Sequence, residues 1–138
     1  MKLVCLGKKL LLISGLIVSL MILSANITFA QSLASNKAAQ RNWNTFWNKF
    51  KTSVKTKNRK AIISLTSKKF FSPGGETIGQ LLNQSFMWKL LRDSVKTGTK
   101  SHTCRNLPCR ITKNPIIESS LLFVFENNRW SFIGQLGE

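Results

Sequence analysis

The chain has 138 residues, of which 21 are Lys or Arg and 5 are Asp or Glu, so its formal net charge is +16. This length fits one domain of ordinary size rather than two, and three cysteines are too few for a disulfide scaffold. Nine Phe and four Trp require a core, which excludes disorder along the whole chain. One His and five acids leave little for an enzyme that relies on several carboxylates or imidazoles.

The first thirty residues have the layout of a secretory signal peptide. Three lysines precede the uncharged apolar run Leu10 to Leu23, and Thr28 and Ala30 are small residues at the −3 and −1 positions of a cleavage site. We expect cleavage after Ala30. A retained membrane anchor is the alternative, although this run is shorter than the ~20 apolar residues that span a bilayer. The product is then residues 31–138, a single domain that is periplasmic or extracellular.

The first half of 31–138 predicts helices. Apolar residues at i, i+3, i+4, i+7 and i+11 mark one face of a first helix: Trp43, Phe46, Trp47, Phe50 and Val54. A second, short helix follows over 61–65. Residues 70–75 contain Pro and two Gly and predict a turn. Residues 77–96 predict one long helix that is more deeply buried than the first.

The second half predicts strands after a loop. Residues 97–115 are polar and basic, and we expect a loop there with a strand around 110–113. Residues 118–126 and 129–136 give stronger strand signals, and two Asn between them suit a hairpin turn with positive φ. The order of elements predicts an α+β fold, with N-terminal helices packed on a small curved antiparallel sheet.

Cleavage leaves two cysteines, Cys104 and Cys109, which in an oxidising compartment most simply form one disulfide. A zinc site is the more specific alternative, but one His and two Cys supply only three of the four ligands of a tetrahedral site. A nucleophilic Cys104 beside His102 is a further alternative, against which stands the nearby Cys109 that can oxidise it. We therefore expect no metal and no cofactor.

The sequence resembles the small secreted bacterial members of the nuclear-transport-factor-two-like (SnoaL-like, cystatin-like) superfamily. The resemblance rests on aromatic and apolar motifs along the chain: Trp43-x-x-Phe46-Trp47-x-x-Phe50, Ala61 to Thr66, Phe70, and Phe123 to Gly134 with Arg129-Trp130-x-Phe132-Ile133-Gly134. It implies a cone-shaped fold in which a curved sheet wraps around the long helix and leaves a pocket at the open end. Members of this superfamily include enzymes, ligand binders and dimerising scaffolds.

No Asp or His of this chain matches the catalytic residues of the enzymatic members. The expectation is therefore a non-enzymatic binding or interaction module whose ligand or protein partner is unknown, with a degenerate enzyme and a homodimer as open alternatives. The implied pocket would take an apolar ligand between aromatic side chains: Trp43, Trp47, Phe86, Trp88 and Trp130.

The basic residues are the one unusual feature of the composition. One group is concentrated in 49–69 and is the candidate anion-binding set: Lys49, Lys51, Lys55, Lys57, Arg59, Lys60, Lys68 and Lys69. A second group follows the long helix: Lys96, Lys100, Arg105, Arg110 and Lys113. Such a charge attracts polyanions. Outside the cytoplasm the expected partner is anionic lipid or glycan rather than nucleic acid, which makes a cationic envelope-associated protein the alternative function. A merely solubilising surface is the plainer explanation.

We predict that the exported protein begins at Gln31. Intact-mass measurement should give the mass of residues 31–138 with one disulfide, two hydrogens lighter than the reduced chain. A mass that includes residues 1–30 would contradict cleavage, and two free thiols would contradict the disulfide.

Overall fold

The computed structural model describes residues 36–112 and 119–137. Predictions on residues 1–35 and 113–118, the signal peptide among them, lie outside the described residues. The chain divides into two units, Met1–Asn36 and Lys37–Glu138, and the architecture below is that of the second. The described helices are α1 (residues 36–55), α2 (Arg59–Leu65), α3 (Ile78–Leu81) and α4 (Ser85–Thr97). The described strands are β1 (Thr66–Phe71), β2 (Thr99–Cys104), β3 (Leu107–Thr112), β4 (Ser119–Glu126) and β5 (Arg129–Gly137).

The described strands form one sheet in the order β1-β5-β4-β3-β2. Neighbouring strands are antiparallel except for β1, which runs parallel to β5. The helices from the N-terminal side pack on this sheet, and the sheet does not close into a barrel. The predicted α+β class is confirmed.

Helix α1 lies against the sheet face that carries Phe123 and Phe132. Phe50 is fully buried, and its ring meets those two rings edge-on at centroid distances of 5.1 and 5.6 Å. Such pairs contribute about 0.5–1.5 kcal/mol each beyond their buried area. Trp130 Nε1 also donates a 2.8 Å hydrogen bond to the carbonyl oxygen of Ala39. The predicted apolar stripe is therefore the core-facing side of α1.

The predicted turn at 70–75 begins too early, because Phe70 and Phe71 are the last residues of β1. The ring of Phe70 packs on Phe132 at a centroid distance of 5.3 Å, which favours the extended backbone beside β5. A Cβ added at Gly134 would lie 2.7 Å from the Phe71 carbonyl oxygen. The close approach of β1 to β5 therefore requires glycine at this position.

The predicted helix over 77–96 is broken into α3 and α4. Helix α3 begins with a capping box in which the Thr77 hydroxyl accepts from the Gln80 N–H and the Gln80 amide oxygen accepts from the Thr77 N–H. It ends near Leu82, whose carbonyl oxygen accepts a 3.0 Å hydrogen bond from Trp88 Nε1. This bond gives a hydrogen-bond donor to a carbonyl oxygen that the end of α3 leaves without a helical N–H partner. Both pieces bury apolar side chains: Ile78, Leu81, Met87, Leu90 and Leu91.

The β4–β5 hairpin is confirmed, and its turn residues Asn127 and Asn128 have φ of 51° and 59°. The prediction of a loop over 97–115 is wrong for most of that range, because β2 and β3 form a second hairpin there. The strand expected around 110–113 corresponds to the end of β3, which begins earlier, at Leu107. The turn residues of this second hairpin, Arg105 and Asn106, also have positive φ, 48° and 65°. Asn tolerates this conformation and Arg does not favour it, so the sequence signal was weaker than that of Asn-Asn.

We expect Phe123→Ala to lower the free energy of unfolding by about 3–5 kcal/mol, since Phe123 is fully buried at the centre of the aromatic core. Phe86→Ala is the matched control, because that ring is 49% exposed, and it should change stability by less than about 1 kcal/mol. Urea unfolding followed by tryptophan fluorescence measures both. Equal losses would contradict the placement of the core.

Candidate functional site

The aromatic residues expected to line an apolar pocket fall into two groups. In the first, Trp43 stacks on Trp47 at a centroid distance of 5.3 Å and meets Trp130 edge-on at 4.7 Å. Trp43 and Trp130 are 5% and 4% exposed, and Trp47 packs against the same core. These rings are in contact with one another, so their mutual packing fills the space between α1 and the sheet.

Phe86 and Trp88 form no part of that tryptophan group. Both lie on α4, where Trp88 is bonded to the Leu82 carbonyl and Phe86 is exposed beside a cleft of about 240 Å³ that also touches Asp93. The expectation that all five rings line one pocket came from the family resemblance. Trp88 packs against the same buried core as Trp43 and Trp130, whereas Phe86 is an exposed ring.

The basic residues of 49–69 are distributed over α1, α2, β1 and the turn between α1 and α2. Two of them have defined polar partners within the described residues. Arg59 Nη2 donates a 2.6 Å hydrogen bond to the Gly79 carbonyl oxygen, and its Nη1 donates to the Asn83 side-chain oxygen. These bonds tie α2 to α3. The Arg59 guanidinium is thereby engaged in holding α2 against α3.

Lys69 is the second engaged residue. Its ammonium lies 2.8 and 3.1 Å from the two carboxylate oxygens of Glu126 at the end of β4. The lysine side chain is 76% exposed, so this pair adds little to stability. Its consequence is positional, because it holds a cation and a carboxylate beside the β4–β5 turn.

A cleft of about 550 Å³ lies at this point, between the end of α2, β1 and the turn end of the β4–β5 hairpin. We call it the β1 cleft. Three cations and one carboxylate line it, a charge balance of +2: Lys68, Lys69, Arg129 and Glu126. Arg129 is held in place because its Nη2 donates to the Ser64 carbonyl oxygen. Hydroxyl, amide and apolar groups complete the lining: Ser64, Thr66, Ser67, Ser131, Asn127, Ile63, Val124 and Ile133.

The sequence singled out Lys68 and Lys69 but not Glu126 and Arg129 as members of a site. The Asn-Asn turn contained the missing signal, since a two-residue hairpin loop places the residues on either side of it opposite each other. Glu126 and Arg129 are paired in that way. Their approach to Lys69 depends on the parallel pairing of β1 with β5, which no local pattern predicts.

Arg110, a member of the second basic group, makes its contacts inside the domain. Its guanidinium lies 4.7 Å from the centre of the Trp43 ring, and Nη1 donates a 3.4 Å hydrogen bond to the Thr99 hydroxyl. Burial lowers the pKa of Arg110 from its ordinary value, which still leaves the group charged at neutral pH. Its pairing with Phe123 directs it to the helix-covered side of the sheet.

The disulfide between Cys104 and Cys109 is confirmed, with the two sulfurs 2.03 Å apart. It closes the β2–β3 hairpin across its two-residue turn, where Cys104 pairs with Leu107 and His102 with Cys109. A sulfur in a disulfide offers no thiolate, so the Cys104 nucleophile has no support in this state. A disulfide is compatible with export.

No family model, no curated protein and no solved structure matches this chain. Among the described residues there is no cluster of three or more His, Cys, Asp or Glu that could hold a metal ion. In the same part of the chain, no helix is long and apolar enough to cross a membrane.

We predict that Arg59→Gln lowers the free energy of unfolding by about 1 kcal/mol, because the bonds from α2 to Gly79 and Asn83 are lost. Lys60→Gln removes the same charge from the next residue of α2 and should leave stability within about 0.5 kcal/mol of the original. Urea unfolding distinguishes the two. Equal small effects would show that the Arg59 bonds do not hold α2 and α3 together.

Proposed function

We propose that this chain is an exported, non-enzymatic binding module that holds an anionic lipid or glycan of the cell envelope on the side formed by α1, α2 and β1. The supporting observation is an excess of exposed cations on these elements over acids that could neutralise them. The exposed cations are Lys49, Lys55, Lys57, Lys60 and Lys68, and Lys51 on α1 is half-buried. We further propose that its α+β domain is of the nuclear-transport-factor-two-like type, a proposal supported by the order of helices and the closing hairpin.

The acids of the described residues are already engaged elsewhere. Glu126 binds Lys69, and Asp93 on α4 lies 3.4 Å from Lys96. Glu76 accepts a 2.7 Å hydrogen bond from the Ser72 hydroxyl, which holds the pKa of Glu76 below its usual value. Lys49, Lys55 and Lys60 are thus exposed to solvent, and these acids do not compensate their charge. Because no acid in the described part of the domain neutralises these lysines, their positive charge is available to attract an anionic surface.

The alternative that the module binds an apolar ligand between its aromatic side chains has less support. Its central residues Trp43 and Trp130 are nearly inaccessible, and their rings are used in contacts between α1 and the sheet. A ligand there would have to displace packed aromatic side chains, whereas the basic side and the β1 cleft are already open to solvent. The proposal accordingly assigns the ligand to the basic side.

We expect the protein to cosediment with vesicles of phosphatidylcholine containing phosphatidylglycerol, and not with pure phosphatidylcholine. Raising the salt from 50 to 500 mM should release it, because screening shortens the reach of the lysine charges. Replacing the exposed Lys49, Lys55 and Lys60 with Gln should weaken binding by roughly 1 kcal/mol for each lysine. Binding that is insensitive to salt would contradict the proposal, and so would binding to the neutral vesicles alone.

The matched control removes three charges from other elements. Lys89, Lys96 and Lys100 lie on α4 and β2 and are also exposed, so their replacement with Gln lowers the net charge by the same amount. This control should bind anionic vesicles more tightly than the α1–α2 variant. Equal losses would show that net charge, rather than the side formed by α1, α2 and β1, determines binding.

A further inference from the structure

The β1 cleft differs from the rest of the basic side because two of its three cations are held in place. Arg129 is fixed by its hydrogen bond to the Ser64 carbonyl oxygen, and Lys69 by both oxygens of Glu126. Lys68 lies beside them with no acidic partner among the described residues. Groups that are already ordered lose less conformational entropy when a ligand binds.

Hydroxyl groups add hydrogen-bond donors next to these cations. Ser67 accepts a 3.1 Å hydrogen bond from the Lys69 N–H, so its own O–H remains available to donate. Ser131 lines the same cleft from β5. In contrast, the hydroxyls of Ser64 and Thr66 already donate to carbonyl oxygens of α2. Three cations with two free hydroxyls fit an anion with several acceptor oxygens, which is the chemistry of a phosphate group.

One side of the cleft is apolar. Val124 and Ile133 belong to the sheet face opposite the aromatic core, where they pack with Cys109 and Leu122. Ile63 at the end of α2 is 41% exposed although it is a large aliphatic residue. A fully hydrated anion would gain nothing from these groups, whereas an attached hydrocarbon chain would bury apolar surface against them.

We infer that the β1 cleft binds a phosphate group that carries an apolar chain, as in the region of a phospholipid where the headgroup joins the acyl chains. The inference rests on the proposed function and narrows it to one site and one ligand chemistry. Lys68 and Arg129 bind the phosphate oxygens, and Ile63 and Ile133 contact the start of the chain. Glu126 orders Lys69 but also repels the anion, so its carboxylate limits the affinity.

The ligand chemistry is tested on the protein expressed from its full-length sequence by calorimetric titration with three probes. Dihexanoyl phosphatidic acid, below its micelle concentration, should bind one to one. Inorganic phosphate should bind at least about tenfold more weakly because it lacks the chain. Dihexanoyl phosphatidylcholine should not bind measurably, because its choline cation cancels the phosphate charge and is repelled by Lys68 and Arg129. Equal affinity for inorganic phosphate would overturn the role of the apolar side. No binding of dihexanoyl phosphatidic acid would overturn the site itself.

Ile63→Ser tests the apolar side separately from the charges. This side chain is partly exposed, so the fold should tolerate the change. We expect affinity for dihexanoyl phosphatidic acid to fall by about threefold to tenfold, with no change for inorganic phosphate. A loss of affinity for both probes would assign the effect to the fold or the cations and would overturn the contact with the chain.

Two variants that each remove one acid and release one lysine test whether the ligand binds in the β1 cleft. Glu126→Gln releases Lys69 inside the cleft. Asp93→Asn releases Lys96 outside the cleft, because Asp93 lies near Ser119 at the far end of the β4–β5 hairpin. Glu126→Gln should tighten binding of dihexanoyl phosphatidic acid by about fivefold, the effect of one unscreened charge at close range, while Asp93→Asn should leave it unchanged. Equal effects would overturn the site.

These outcomes are distinguishable from a failure of the proposed function. Salt-sensitive binding to anionic vesicles without any binding of dihexanoyl phosphatidic acid would leave the basic side as a binding surface and overturn the cleft. Loss of vesicle binding as well would overturn both. Thermal unfolding of each variant shows that the comparison is made between folded proteins.

Discussion

The contact between α1 and the β4–β5 hairpin is the constraint on which the rest of the surface depends. Phe50 meets Phe123 and Phe132 edge-on and is fully buried, so α1 has one rotation about its axis that keeps this side chain inside. Residues of a helix advance by about 100° each. Lys55, about 140° around the helix from Phe50, is thereby directed away from the sheet, and the side that it forms with α2 is positive as a consequence of core packing.

The β1 cleft depends on a second constraint, the parallel pairing of β1 with β5. The Asn-Asn turn brings Glu126 opposite Arg129, but Lys69 reaches Glu126 only because β1 lies against β5. Gly134 permits that approach, since a side chain there would collide with the carbonyl oxygen of Phe71. The close approach of the two strands at Gly134 therefore allows Lys69 to reach Glu126, and the register of the strands determines which charges meet in the cleft.

Local patterns were sufficient for some elements and insufficient for others. The apolar stripe of α1 and the Asn-Asn turn are encoded over a few neighbouring residues, and both are confirmed. Strand β1 is stabilised by a distant partner, Phe132 for Phe70, so no local window contains the reason for it. The bond from Trp88 to the Leu82 carbonyl at the α3–α4 break spans only six residues, but apolar periodicity does not report such a side-chain bond. The basic composition was likewise visible in the sequence, but the partners of Arg59 and Lys69 were not, because those contacts cross between elements.

The scarcity of acids acquires a more specific meaning in the folded chain. A uniformly cationic surface attracts every polyanion and discriminates poorly among them. Within the β1 cleft, by contrast, one carboxylate lies among three cations and holds one of them in a fixed place. A bound anion must fit between Arg129, Lys68 and the Glu126–Lys69 pair, and it must present its apolar part to Ile63 and Ile133. In the proposed function, selectivity at this cleft comes from the arrangement of a few ordered groups, while the lysines of α1 and α2 supply the attraction that brings an anionic surface to them.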